Sequence, residues 1–419
     1  HGLGRQFTYE EACAKVDEAA RADRVIVVDK GRVTLDGTPR EVFSEVATVK
    51  AAGLDACLVH GTESDFANVR YLTEYWPTFE QAGVFVPAEG EAVLLIGPES
   101  YTYAAERSKV PAIRLVKAFR ESSEPEYPGK PLDTFESVFA EAGITDIKRF
   151  GVAGYPLMTV GVYFALTDSL KKYGILPEKA DDLLNKLRMI KTENELICMR
   201  RAAEITHATM DYVLKNIKVG MTEAQVVGLA LGKMHELGAE RESYPVWILT
   251  GKGSNQAISR PRNKAIEKGD MTFLQIGARV DGYASSIGRP VVFGKATAEQ
   301  KELIEVGYKA QAAVIDMLKA GVPACGGAKA HIKNVTDMGY GDWLLYGPCH
   351  GNGTMEGEAP WIETSAEFLL EENMTFCVDI FLGSAKTETG LRMEDVVCVK
   401  KDGCENLTNY PRELFEIDC

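Results

Sequence analysis

The chain has 419 residues, of which 45% are hydrophobic and 26% are charged, and its formal net charge is −14. This length and composition predict a globular protein of two to three domains. The negative charge argues against a general nucleic-acid binder, because neutralising phosphates needs a basic surface. No run approaches the roughly 20 apolar residues of a membrane-spanning helix. We therefore expect a small-molecule substrate and neither nucleic acid nor membrane as a partner.

The chain opens with a predicted N-terminal extension, residues 1–40. It contains a helical pattern over 8–22 and a short hairpin, 25–28 with 32–35. Residues 41–180 alternate helix and strand, which predicts an α/β domain. The strand candidates there are 56–59, 82–86, 92–96, 113–116 and 150–152, and an amphipathic helix follows over 160–173.

From residue 181 to 419 the pattern predicts an internally duplicated α+β domain. Three helices begin with the capping signature S/T-x-x-E/Q, at Thr192, Thr222 and Thr297. Two of them are expected to stop at Gly238 and Gly321, since glycine suits the left-handed cap of a helix. Strand-rich stretches at 272–293 and 374–399 follow the helix pairs.

Nine cysteines are scattered through apolar runs, and no C-x-x-C pair occurs. Zinc knuckles and thioredoxin-like motifs are therefore not indicated. Isolated thiols in apolar strands are typical of small core residues in a reduced compartment, so we expect a cytoplasmic protein.

Five ordered motifs in the second domain carry a resemblance to a known family. KGDMTFLQIG (268–277) continues into DGYASSIGR (281–289), and CHGNG (349–353), EAP (358–360), NMTFCVD (373–379) and LRMED (391–395) follow. Together they resemble the creatinase/aminopeptidase P/methionine aminopeptidase superfamily over about residues 41–419. The resemblance implies a creatinase-type α/β N-terminal domain, a pita-bread catalytic domain and a homodimer.

The metallopeptidases of this fold hold two metal ions with two Asp, one His and two Glu. Gln275 and Ser286 stand at the two Asp positions, and the remaining three fall on His350, Asp379 and Glu394. Neutral oxygens cannot offset the cost of desolvating a divalent cation as carboxylates do. We therefore expect no cofactor, with one weakly bound divalent ion at His350, Asp379 and Glu394 as the open alternative.

Creatinase and ectoine hydrolase are similar proteins that lack the metal Asp residues and hydrolyse C–N bonds without metal. The resemblance thus implies metal-independent hydrolysis of a C–N bond in a small, polar, carboxylate-bearing compound. The expected catalytic residues are His350 as proton shuttle and Glu394, with Glu358 or Asp379, as base or nucleophile.

Substrate binding is expected from several side chains around the same motifs. Arginine forks bind carboxylates well, although a buried ion pair is an equally good expectation for Arg289. The predicted binding residues are Gln275, Ser286, Arg289, Arg260, Arg262, Tyr244 and Trp361. Two alternatives stay open: a metal-dependent Xaa-Pro aminopeptidase or dipeptidase with a degenerate site, and a binding protein without catalysis.

Overall fold

The structure is a computed structural model that describes residues 25–29, 32–37, 46–121 and 131–419. The predicted helix over 8–22 lies outside these residues. The described residues fall into two compact units, one that ends at Leu187 and one from Arg188 to Cys419. The predicted N-terminal hairpin is present, with strands β1 (Val25–Asp29) and β2 (Arg32–Gly37) antiparallel.

The first unit contains a six-stranded mixed sheet in the order β6-β5-β4-β3-β7-β8. Strands β3 and β4 are buried along their whole length, and apolar clusters cover the sheet. Their unbroken apolar runs therefore reflect a sheet that is covered on both faces. The strands are β3 (Ala56–Gly61), β4 (Ala82–Pro87), β5 (Val93–Ile96), β6 (Ile113–Leu115), β7 (Phe150–Ala153) and β8 (Glu178–Lys179). The helices are α1 (Val46–Ala51), α2 (Ala67–Thr73), α3 (Tyr101–Arg107), α4 (Phe135–Glu141), α5 (Val160–Leu170) and α6 (Asp181–Met189).

The second unit has two helix pairs against a nine-stranded sheet with β10-β11-β14-β18-β17-β15-β16 as its main path. This duplicated α+β arrangement is the predicted fold. The helices are α7 (Glu193–Asn216), α8 (Glu223–Glu236), α9 (Ala298–Ile315) and α10 (Cys325–Asp337). The strands are β9 (Arg241–Glu242), β10 (Trp247–Thr250), β11 (Met271–Ile276), β12 (Ala278–Val280), β13 (Tyr283–Ala284), β14 (Ile287–Phe293), β15 (Cys349–Gly351), β16 (Glu358–Ile362), β17 (Thr375–Ser384), β18 (Thr389–Lys400), β19 (Gly403–Asn406) and β20 (Phe415–Ile417).

All three predicted capping boxes are formed, at Thr192, Thr222 and Thr297. The prediction that the third of these helices extends to Gly321 is wrong, because α9 ends at Ile315. The chain leaves the helix earlier because its backbone finds other partners. The N–H of Ala320 donates to the carbonyl of Lys400, and that of Gly321 to the carbonyl of Leu370.

Among the described residues, no helix combines the length and apolar character that crossing a membrane would require.

Candidate active site

The register of the central strands places the site residues in one row. Gln275 on β11 is paired with Gly288 on β14, Gly288 with Glu394 on β18, and Glu394 with Asp379 on β17. A Cβ at Gly288 would lie 2.9 Å from the backbone nitrogen of Glu394, closer than any side chain tolerates. The glycine therefore lets β14 and β18 approach and leaves room above it for the Gln275 and Glu394 side chains to meet.

Four residues, Gln275, Tyr346, Asp379 and Arg392, form what we call the Arg392 network. The Nη1 of Arg392 donates to Gln275 Oε1 at 3.0 Å, and its Nη2 donates to the Tyr346 hydroxyl at 3.0 Å. Its Nε lies 3.3 Å from Asp379 Oδ1, and the Tyr346 hydroxyl donates to Asp379 Oδ2 at 3.1 Å. The guanidinium also lies 4.9 Å from the Trp247 ring centre, within cation–π distance. Arg392 thus neutralises Asp379.

A second group, His350, Glu356, Cys377 and Glu394, we call the His350 cluster. One ligand-type atom of each residue lies within 4.8 Å of those of the others. The Nε2 of His350 is 3.8 Å from Glu356 Oε1 and 3.9 Å from Glu394 Oε1. The Cys377 thiol is 3.7 Å from Glu356 Oε1. Gln275 joins this cluster to the Arg392 network, because its amide nitrogen donates to Glu394 Oε2.

The electrostatics of the site follow from burial of several acids together. The pKa of Glu394 is raised to about 7, first by burial and then by the Glu356 carboxylate, while His350 opposes the shift. Burial likewise raises the pKa of Glu356. The pKa of Asp379 is raised to about 6 by burial, against the opposing charge of Arg392. The site therefore holds several buried carboxyl groups with raised pKa values, which suits acid–base chemistry.

Ser286 and two aromatic residues lie around the cluster. Ser286 is fully buried, and its hydroxyl donates to the Tyr244 hydroxyl at 3.1 Å. The pKa of Tyr244 lies well above its usual value, because of burial and then the charges of Glu394 and Glu356, so the phenol stays neutral. The Trp361 ring lies 5.5 Å from the His350 ring and is half exposed. Both aromatic residues therefore adjoin the site.

Glu358, predicted as catalytic, is instead bound within a buried ion pair. It contacts the Arg188 guanidinium and lies 3.2 Å from the Lys191 ammonium. Although burial raises its pKa, the charges of Arg188 and then Lys191 hold the pKa below its usual value. Its Oε2 also accepts the Met355 N–H at 3.0 Å. Its contacts are those of a residue that holds the loop after His350 in place.

The arginines predicted to anchor a substrate carboxylate are placed elsewhere. Arg289 is fully buried and pairs with Asp395 at 2.8 Å. Its five N–H groups donate to five protein oxygens, so none is left for a substrate. The buried ion pair with Asp395, the alternative expected for Arg289, therefore accounts for this side chain. Arg262 contacts Glu223 at 3.5 Å, and Arg260 is exposed; neither is hydrogen-bonded to a described residue of the His350 cluster.

Two residue positions show that the family's two-ion centre does not fit. Gln275 and Ser286 present neutral oxygens, and each is already hydrogen-bonded within the protein. Asp379, the third replaced ligand, faces Arg392, which supplies the positive charge there. The open alternative of one ion at His350, Asp379 and Glu394 would share Asp379 with Arg392, whose Nε lies 3.3 Å from that carboxylate.

Sequence reasoning did not assign roles to Arg392, Tyr346 and Cys377, and left Glu356 undecided. Period-two alternation could have found two of them, since Cys377 stands two residues before Asp379 on β17 and Arg392 two before Glu394 on β18. No local pattern marks Tyr346 or Glu356, because both lie in loops.

Comparisons with known proteins agree with the architecture. Residues 197–401 match the model of metallopeptidase family M24, and residues 46–190 match the creatinase/prolidase N-terminal domain. The Xaa-Pro dipeptidase of Pyrococcus furiosus is 26% identical over 349 residues, which cover 83% of this chain and 92% of that protein.

Solved structures show the same fold at lower identity. The prolidase of Thermococcus sibiricus has a TM-score of 0.78 at 23% identity, covering 90% of this chain and 98% of that one. The X-Pro aminopeptidase of Thermotoga maritima has a TM-score of 0.77 at 23% identity, covering 89% and 98%.

Proposed function

Because the chain belongs to the creatinase/aminopeptidase P/methionine aminopeptidase superfamily, we propose that it hydrolyses a C–N bond in a dipeptide-sized compound, with Xaa-Pro dipeptides as the first substrates to test. The predicted reaction class, a hydrolase acting on a C–N bond, agrees with the match to a metallopeptidase family. For the substrate, the dipeptidase relative supports the peptidase alternative over the creatinase-like interpretation.

The observation that carries the proposal is the His350 cluster. Hydrolysis of an amide requires that water lose a proton and that the departing nitrogen gain one. Glu356 and Glu394 are adjacent carboxyl groups with raised pKa values, and both face His350 Nε2. A water molecule bound among these groups would have a carboxylate to accept its proton, and a protonated carboxyl group could supply the proton that the departing nitrogen needs.

The Arg392 network supplies donors for the oxygens of a substrate. Each terminal nitrogen of Arg392 donates one N–H to a described residue, to Gln275 or to Tyr346, and carries a second N–H that neither of these bonds uses. Such donors stabilise the negative charge that develops on a carbonyl oxygen in the transition state. The Tyr244, Trp247 and Trp361 rings supply apolar walls that suit a proline ring.

A second candidate is the metal-independent hydrolysis predicted from the sequence, and the neutral residues Gln275 and Ser286 favour it. In that scheme Glu394 is the general base, and an exhaustively demetallated enzyme keeps its activity. The peptidase scheme of the relatives predicts that activity falls with metal removal and returns when a divalent ion is added.

The proposal is tested by assaying a panel of Xaa-Pro dipeptides, other dipeptides and small amides for release of the amine. Changing Glu394→Gln or His350→Ala should lower kcat/KM for the best substrate by at least about 100-fold. Glu236→Gln, on the exposed end of α8, is the control and should leave the rate unchanged. Assays before and after chelator treatment separate the two schemes.

Failure of the whole panel with wild-type protein, or full activity in Glu394→Gln, would contradict the proposal. The homodimer and the cytoplasmic location remain predictions. Light scattering after size-exclusion chromatography tests the first, and fractionation of the source cells tests the second.

A further inference from the structure

The His350 cluster has the composition of a mononuclear metal site. We propose that His350, Glu356, Cys377 and Glu394 together bind one divalent transition-metal ion, zinc by preference, at a place shifted from the family's two-ion centre. The inference deepens the proposed function, on which it rests for the ion's role in hydrolysis. A catalytic zinc keeps one position open for water, so one of the four side chains would have to leave the ion for that role. The binding itself is measured without substrate. The imidazole nitrogen, the sulfur and the two carboxylate oxygens are each donor types that zinc binds in proteins, and four donors match its tetrahedral coordination.

The spacing of the donor atoms is close to that of a tetrahedral site. With metal–ligand bonds of about 2.0–2.3 Å, two ligand atoms of a tetrahedron lie roughly 3.3–3.6 Å apart. The two distances from His350 Nε2 are 3.8 and 3.9 Å, and Cys377 Sγ lies 3.7 Å from Glu356 Oε1. The remaining donor pairs lie within 4.8 Å, so side-chain shifts of up to about 1 Å would bring the four donors around one ion.

The orientation of His350 is that of a ligand. Its Nδ1–H donates to the carbonyl of Gly351 at 3.1 Å, since a carbonyl can only accept. This bond fixes the proton on Nδ1 and leaves the lone pair of Nε2 directed at the cluster. Metal-binding histidines are held in the same way by a second hydrogen bond.

Glu394 provides an independent observation. Its side chain is 0% exposed, and its Oε1 has no hydrogen bond of normal geometry to a described residue, although the Glu356 carboxyl and the Cys377 thiol are its neighbours. The other oxygen, Oε2, is taken by the Gln275 amide. A buried carboxylate oxygen without a partner costs free energy, and this one faces His350 Nε2. An ion at that point would satisfy the oxygen and offset the charge of Glu356.

The donor set differs from that of the family's metallopeptidases in two members. Only His350 and Glu394 fall on the positions carried over from the family, whereas Glu356 and Cys377 do not. Asp379, the remaining acid of the carried-over set, is neutralised by Arg392. A thiolate ligand favours zinc over manganese or magnesium, so this chain is expected to prefer a softer ion than an all-oxygen and imidazole site would.

Metal analysis and cobalt spectroscopy of the purified full chain test the proposal. Demetallated protein titrated with Zn²⁺ should bind one equivalent. Substitution with Co²⁺ should produce the near-ultraviolet charge-transfer absorption of a cobalt–thiolate bond. Cys377→Ser should abolish that absorption, and Glu356→Gln should weaken the affinity at least tenfold. Cys398→Ser, a buried cysteine on β18 outside the cluster, is the matched control and should change neither.

Several results would overturn the metal site: no binding, two equivalents without the charge-transfer absorption, or absorption that survives in Cys377→Ser. Even where a variant folds poorly, the charge-transfer absorption of the wild-type Co²⁺ complex shows whether a thiolate binds the ion. A protein that binds one ion and cleaves nothing contradicts the proposed function alone. A protein that cleaves dipeptides and binds no ion contradicts the metal site alone.

Discussion

Gln275 determines how charge is distributed across the cavity. Its amide donates to Glu394 and accepts from Arg392, so one neutral side chain on β11 connects an acid and a cation that both lie on β18. An aspartate at this position would face Glu394 with a second negative charge and would need a cation between them. Glutamine supplies a donor where the metallopeptidases of the family have an ion.

Replacing Gln275 by leucine removes both hydrogen bonds at nearly constant volume. Because Glu394 and Arg392 would then each lose a buried partner, the free energy of unfolding should fall by about 1–3 kcal/mol. Urea denaturation measures the loss. Gln256→Leu, on an exposed loop, is the control and should change stability by less than about 0.5 kcal/mol. Equal effects of the two substitutions would show that the bridge contributes nothing.

Arg289 illustrates how a candidate anchor becomes a structural residue. Changing Arg289→Met leaves Asp395 buried with a weaker set of partners, and breaking such a pair costs about 3–5 kcal/mol. Thermal or urea unfolding should show this loss, while KM of any folded variant should stay near the wild-type value. A raised KM with unchanged stability would instead support the predicted role in substrate binding.

The helices of the second unit show which sequence signals predict where a helix begins and where it ends. The capping boxes at Thr192, Thr222 and Thr297 satisfy backbone N–H groups within a few residues, so they form without help from distant parts of the chain. The end of α9 depended on backbone partners at Leu370 and Lys400, far along the sequence. Helix starts were therefore predictable here, and this helix end was not.

Thr222→Ala should remove the side-chain acceptor of the Gln225 N–H at the start of α8. The expected loss is about 1 kcal/mol in the free energy of unfolding. Thr222→Ser keeps the hydroxyl and should restore most of it. If serine and alanine destabilise the protein equally, the loss comes from the methyl group and not from the cap.

At the scale of the whole molecule, the free energy of unfolding should depend on pH because His331 is buried. Burial in α10 lowers the pKa of His331 to about 4, from an ordinary value near 6.5. Between these values the unfolded chain binds a proton that the folded protein does not, so stability is lost as pH falls from about 6.5 to about 4. The full shift corresponds to about 3 kcal/mol.

This dependence is checked by urea denaturation at pH 7 and at pH 4.5 for the wild type and for His331→Leu. The difference in stability between the two proteins should move in favour of the variant at the lower pH. Comparing the two proteins removes the contributions of the other titrating groups, among them Asp379 and Glu394. A difference that does not change with pH would contradict the assignment.

The three helix starts, the duplicated α+β fold and the superfamily all followed from the amino-acid sequence. They depend on short-range signals, namely periodicity, helix caps and motif spacing. These signals can be recognised in a single amino-acid sequence. The partners of each charged side chain did not follow. Glu358 and Arg289 became structural because distant residues neutralise them, and Cys377 and Glu356 joined His350 because a strand face and a loop converge there. Pairing in three dimensions depends on sequence-distant contacts, and those contacts separate buried charges that stabilise the fold from charges that are left for chemistry.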